Sequence, residues 1–218
     1  MIAERHMFED SASLAAALAQ KVADILRDTV ADKGSAILAV SGGTTPQPFF
    51  QFLSTIDLNW GKVQITLVDE RQVPDDSPRS NAKLVKQSLL QHKAAAARFV
   101  PLYQNLAASD LGNFDIAILG MGSDGHTASF FPGGDKLEAA LDPEGKTAIL
   151  EMNAPAAGEP RLTFSLPKLL AAKHLFLHIQ GAEKMAVLDQ ALSGTDSLEM
   201  PIRAVLYANK PVELYWCP

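Results

Sequence analysis

One cysteine, Cys217, stands among 218 residues. That excludes an intramolecular disulfide and any multi-cysteine zinc site, and it suits a reducing, cytoplasmic setting. No apolar run approaches the roughly 18–20 residues that cross a bilayer as a helix. The first ten residues carry Glu4, Arg5, Glu9 and Asp10 and offer no apolar stretch of the kind a signal peptide needs. A basic excess is also missing, since 19 Lys and Arg face 25 Asp and Glu for a net charge of −6. This disfavours nucleic acid as a partner, because its binders carry a basic surface. A small anionic substrate is compatible with that balance, because a few cations focused in one cleft hold a phosphate against an unfavourable overall charge. No linker, low-complexity tract or internal repeat breaks the chain, so residues 1–218 read as a single domain.

What is present is an ordinary globular composition, 47% hydrophobic and 20% charged. Leu14, Leu18, Val22, Ile25 and Leu26 recur at helical spacing over residues 13–31, with Ser11 or Ser13 as caps. Apolar runs of strand length follow at Ala36 to Val40, Val63 to Val68, Phe114 to Leu119, Leu175 to Ile179, Arg203 to Tyr207 and Val212 to Trp216. Several are rich in Ile, Leu and Val on both faces, as buried parallel strands are. Helical stretches lie between them at 46–53, 80–91 and 182–192. This alternation predicts an α/β fold with a mostly parallel sheet covered by helices on both faces. Ligands of such sheets bind beyond the carboxyl ends of the strands, which makes the strand exits the places to search.

Three exits carry unusual chemistry. After Val40 comes Ser41-Gly42-Gly43-Thr44-Thr45-Pro46. The glycines permit positive φ, the threonines offer hydroxyls and helix caps, and Pro46 suits a first helical position. This loop reads equally as a phosphate cradle at a helix N-terminus or as a tight strand-to-helix turn. After Val68 comes Asp69-Glu70-Arg71, then a loop rich in Pro and Asp that leads to Ser80-Asn81. Taken locally, it reads as a solvated charged turn with Ser80 or Asn81 capping the next helix, although two carboxylates and a guanidinium also suit acid–base work and oxyanion stabilisation. After Leu119 comes Gly120-Met121-Gly122-Ser123-Asp124-Gly125-His126. It matches a dinucleotide-binding glycine pattern literally, but Pro132-Gly133-Gly134 interrupts the helix that pattern needs, and no acidic residue ends a strand about 20 positions on.

His126 follows this glycine-rich exit, and Asp124 stands two residues earlier where a carboxylate can orient the imidazole and raise its basicity. His174 and His178 lie on a stretch that reads as a strand, where four residues span about 13 Å, too far to share a metal. His6 and His92 look solvated. Arg161 opens an alternating segment in which Arg161, Thr163 and Ser165 share one face, which reads as a half-exposed strand. Lys184 falls in the first turn of a helix after Gly181, where the macrodipole disfavours a cation by ~0.3–1 kcal/mol. An anion sharing the site, or neighbouring Glu183, would relieve it.

Together these stretches resemble the 6-phosphogluconolactonase family, within the superfamily that also holds the glucosamine-6-phosphate deaminases. The matching blocks are residues 41–46, Asp69-Glu70-Arg71 with Val73-Pro74 and Ser80-Asn81, residues 120–132, Arg161 to Phe164, and Gly181 with Lys184. The deaminases continue after the shared Asp-Gly-His with a glutamate that pairs with the histidine. Here Phe131 takes that place, and Arg71 replaces their usual tyrosine.

The resemblance implies a Rossmann-like α/β domain that hydrolyses 6-phospho-D-glucono-1,5-lactone to 6-phosphogluconate in the oxidative pentose phosphate pathway, with no metal and no cofactor. It implies His126, Asp124 and Arg71 in catalysis and Gly42, Gly43, Thr44, Asp69, Arg161 and Lys184 on the sugar phosphate. Arg71 and Arg161 are interchangeable at this stage between oxyanion and phosphate. Two other readings are an amino-sugar-phosphate deaminase, which Phe131 opposes, and a non-catalytic sugar-phosphate sensor, for which 218 residues leave little room for an output module.

Overall fold

The computed structural model describes residues 2–102, 108 and 110–218. Seven strands form a sheet in which every pairing is parallel: β1 (Ile2–Met7), β2 (Ala36–Val40), β3 (Val63–Leu67), β5 (Arg98–Phe99), β6 (Ile116–Leu119), β9 (His174–Gln180) and β10 (Val212–Cys217), in the order β1-β10-β9-β6-β2-β3-β5. The central strands are apolar on both faces: Leu38, Ile65, Ile116, Leu119 and Phe176 are all but inaccessible. Helix α1 (Ser11–Lys33) packs on α2 (Gln47–Thr55), which also meets α3 (Asn81–Ser88). A second set, α4 (Leu137–Leu141), α5 (Leu166–Leu170), α6 (Ala182–Ser193) and α7 (Ile202–Leu206), forms its own run of contacts. The α/β reading therefore holds.

α1 shows how the sequence closes an element. Leu14, Leu18, Val22 and Leu26 turn one apolar stripe to the core. The cap is Asp10 rather than Ser11 or Ser13: its carboxylate accepts from the Ser13 amide at 2.8 Å, and Ser13 answers from the third helical position. Gly34, at φ 82°, ends the helix in the left-handed conformation a glycine adopts without strain.

Two features depart from the sequence reading. Residues 203–207, expected as a strand, lie in helix α7 and its C-cap. A short apolar run carries no period of its own, and Pro201 starts a helical turn that Arg203 completes by reaching the Ala191 and Gln190 carbonyls at the end of α6. Asp69-Glu70-Arg71 is no turn. It is strand β4 (Asp69–Arg71) of a second sheet, antiparallel, with β8 (Arg161–Phe164) in the middle and β7 (Ile149–Met152) outside. Its polar residues are buried rather than solvated, with Asp69 6%, Glu70 0%, Arg161 7% and Thr163 0% exposed. Burial of β8 thus inverts the half-exposed expectation.

Candidate active site

A cleft of about 300 Å³ opens where β2, β6 and β9 end and the small sheet approaches. All the candidate residues named from the sequence line it except Asp124, which stands behind His126.

The β2 exit is stitched to its neighbour by Ser41, whose hydroxyl donates to the Ile118 carbonyl at 2.9 Å and accepts from the Gly120 amide at 3.1 Å. Gly43 sits at φ 97°, and Gly42 lies so close to the Asn81 amide that a Cβ would overlap it. α2 then begins at Gln47 behind Pro46, with no side-chain cap. The expected threonine cap is therefore absent, and the Thr44 and Thr45 hydroxyls are not spent on it.

The β6 exit folds back on itself. Gly122 N–H donates to the His126 carbonyl at 2.8 Å, Thr127 Oγ1 to the Gly120 carbonyl at 2.8 Å, and Gly125 takes φ 76°. No helix follows, and Ala128 holds φ 48°, which is costly for a residue with a side chain. The glycine pattern is thus a tight turn rather than a dinucleotide motif. It aims His126 into the cleft with Nδ1 2.5 Å from Asp124 Oδ1. That pairing puts the Nδ1 proton toward the carboxylate and leaves Nε2 as the basic nitrogen. Burial alone would raise the Asp124 carboxyl, but the hydrogen bond and charge of His126 outweigh it and hold it below the ordinary range. A Cβ on Gly122 would overlap the His126 ring. The Phe131 ring packs 4.3 Å from the imidazole, centroid to centroid.

The small sheet brings charge. Arg71 and Arg161 face each other across β4 and β8, a like-charged cross-strand pair that is destabilising unless counter-charge is near. Glu159 serves three guanidiniums at once: Arg79 Nη2 at 2.8 Å, Arg161 Nη2 at 3.7 Å and Arg71 Nε at 3.9 Å. Burial lowers the Arg161 pKa, and neighbouring Asp69 opposes that shift. Arg161 also lies 5.3 Å over the Phe131 ring. Asp69 accepts from Ser129 Oγ at 2.6 Å. Arg71 Nε, Arg161 Nε and Asn81 Oδ1 are buried without a hydrogen-bond partner among the described residues. Such atoms cost free energy, and they gather around one cleft.

Ser129 and Glu159 carry no functional signal of their own in the sequence, whereas Glu70, Asn81 and His178 show there only as part of a charged turn, a helix cap and a histidine pair. Glu70 is the hub of its corner: its carboxylate accepts from the Arg71, Asn81 and Ala82 amides at 2.7, 2.8 and 2.7 Å. Burial nevertheless raises its pKa. Ser80 caps α3 as expected, through the Lys83 amide. Glu159, two residues before Arg161, was the one counter-charge that spacing alone would have flagged.

Lys184 lies in the first turn of α6 after Gly181, at φ 94°, and makes no ion pair with Glu183. Away from the cleft, Glu4, His6 and Glu213 bring three possible metal ligands together on β1 and β10. Lys21 Nζ already lies 3.9 Å from the same Glu213 oxygen that His6 approaches, so this cluster is an ion-pair network as it stands.

Similarity to known proteins extends over nearly the whole chain. The family model described as glucosamine-6-phosphate isomerases/6-phosphogluconolactonase matches residues 9–216. A 6-phosphogluconolactonase of Rhizobium meliloti is 50% identical, covering 100% of both chains, and one of Pseudomonas putida is 44% identical over 98% of this chain and 92% of its own. The crystal structure of a 6-phosphogluconolactonase from Shewanella baltica superposes with a TM-score of 0.93 at 39% identity, covering 99% of this chain and 97% of that one. A monomeric glucosamine-6-phosphate deaminase shares the fold, with a TM-score of 0.77 at 21% identity. The chain belongs to the glucosamine-6-phosphate isomerase/6-phosphogluconolactonase family, and within it to the 6-phosphogluconolactonases.

Proposed function

We propose that this enzyme hydrolyses 6-phospho-D-glucono-1,5-lactone to 6-phosphogluconate in the cytoplasmic oxidative pentose phosphate pathway, with His126 activating the attacking water and no metal taking part. The observation that carries this reading is the Asp124–His126 pair, which leaves Nε2 as the base in a cleft ringed by cations and glycine amides.

Nε2 removes a proton from water as its oxygen bonds to C1, and the carbonyl becomes a tetrahedral oxyanion. Arg71 and the amides of the Gly120–Gly125 run stabilise that charge. The oxyanion then collapses, the bond from C1 to the ring oxygen breaks, and the proton on His126 passes to that oxygen. General acid–base catalysis of this kind contributes roughly 10²–10⁴-fold. Asp124 keeps the ring oriented throughout. The phosphate is held by Lys184, Arg161 and the Gly42-Gly43-Thr44 segment at the start of α2, and this remote grip keeps C1 in register. Asp69, fixed by Ser129, accepts from a sugar hydroxyl. Phe131 beside His126 supports hydrolysis over deamination, because an apolar ring stands where ring opening would use a carboxylate.

The test is to give purified, chelator-treated protein the lactone and follow its loss against the spontaneous rate. Acceleration without ammonia release from glucosamine 6-phosphate is the expected result. Loss of lactone at the spontaneous rate overturns the proposal.

A further inference from the structure

His178 is 6% exposed, lines the cleft and has no hydrogen-bond partner among the described residues. An imidazole at the wall of a binding cleft with no protein partner has ring nitrogens left to bond a ligand there. The sheet register places it. Leu177 pairs with Leu119, so His178 stands beside Gly120, and Ser41 holds Gly120 from the other side. Phe49 of α2 meets the His178 ring edge-on at 6.3 Å between centroids. His178 therefore faces the layer of α2, whose N-terminus the Gly42–Thr45 loop forms. Two residues beyond it on β9 comes Gln180, then Gly181 and the first turn of α6 with Lys184.

We propose that His178 is a substrate-binding residue that donates a ring N–H to the phosphate end of the sugar phosphate, between the Gly42–Thr45 loop and Lys184. This rests on the lactonase reading above and adds a ligand for the phosphate that the sequence motifs did not mark. The ring is uncharged at neutral pH, because burial pushes its pKa down to about 4. It thus contributes a directional bond and no charge. The charged groups sharing the cleft are Asp69, Arg71, Arg161 and Lys184, with His126 as the other titratable one. Phe49 from α2 and Tyr215, its register partner on β10, add no charge at neutral pH.

The test compares His178→Leu and His178→Asn with the parent enzyme on two substrates, the phosphorylated lactone and unphosphorylated glucono-1,5-lactone. His178→Leu should raise KM for the phosphorylated lactone about tenfold or more, leave kcat within about threefold, and leave kcat/KM for the unphosphorylated lactone unchanged. His178→Asn, which keeps an N–H, should recover part of the loss. Equal effects on both lactones, or none on either, overturn the assignment. Calorimetric titration with 6-phosphogluconate separates it from the parent reading. If the parent enzyme turns over no lactone but binds 6-phosphogluconate and His178→Leu binds it at least tenfold more weakly, the reaction is wrong and the ligand role stands. Equal binding by both proteins overturns the ligand role.

Discussion

The two sheets of this molecule do different work, and they do it by different means. The central strands of the seven-stranded parallel sheet are largely apolar, and their chemistry gathers at their C-terminal ends, where Gly42, Gly43 and the Gly120–Gly125 turn present backbone and where His126 is aimed. The three-stranded antiparallel sheet carries its chemistry inside the strands, with Asp69, Glu70, Arg71 and Arg161 buried or half-buried. Glycine turns position a base through steric fit. The small sheet positions charge by surrounding it with Glu159, Ser129 and main-chain carbonyls. Damage to the Gly120–Gly125 turn should therefore fall mainly on kcat, and damage around Arg161 mainly on binding.

Among changes that leave His126 itself in place, the largest effect should come from Gly122→Ala at the parallel sheet's exit. The new methyl displaces the His126 ring from Asp124, and kcat should drop on the order of 10²-fold with the fold intact by circular dichroism. A thermal melt in which Gly122→Ala is fully unfolded would assign the glycine to stability instead.

Next comes acid stability. His178 has a pKa of about 4 in the folded protein against 6.5 when unperturbed. Between those values the unfolded chain binds the proton and the folded one does not, so stability is full above pH 6.5 and declines as pH falls toward 4. The decline attributable to this group is about 3 kcal/mol at most. His178→Asn should lack that part of the slope in denaturant titrations at pH 7 and pH 4.5. An unchanged slope would show that His178 takes up its proton normally.

In the small sheet, Arg161→Met should raise KM about tenfold, with kcat changed less, because it removes a charge-assisted contact while relieving the cross-strand repulsion with Arg71. A kcat loss as large as that of Gly122→Ala would erase the division between the sheets and give Arg161 the oxyanion. Smallest should be Ser129→Ala, which leaves one Asp69 oxygen without its 2.6 Å bond. It should cost about 1 kcal/mol of stability and a few-fold in KM.

The same contrast explains what could be read in advance. β2, β3, β6 and β9 were legible because a strand buried on both faces is a predominantly apolar run. His126, with Asp124 two residues before it, was legible because a glycine-rich strand exit places side chains by local geometry. The small sheet was not. Asp69-Glu70-Arg71 has the composition of a solvated turn, and what buries it, Ser129, Asn81 and Glu159, comes from up to 90 residues away in the chain. Arg161 and Lys184 were visible as cations, but the burial of Arg161 against Asp69 and Phe131 was not. In the sequence His178 stands out only through its spacing from His174, and its place beside Gly120 depends on strand order, which periodicity does not encode.

The central claim is that His126 is the base, and the turnover of His126→Ala tests it most directly. With saturating phosphorylated lactone at neutral pH, and the spontaneous rate subtracted, kcat should drop roughly 10²–10⁴-fold while 6-phosphogluconate still binds within a few-fold of the parent enzyme. Turnover near the parent rate would contradict the account.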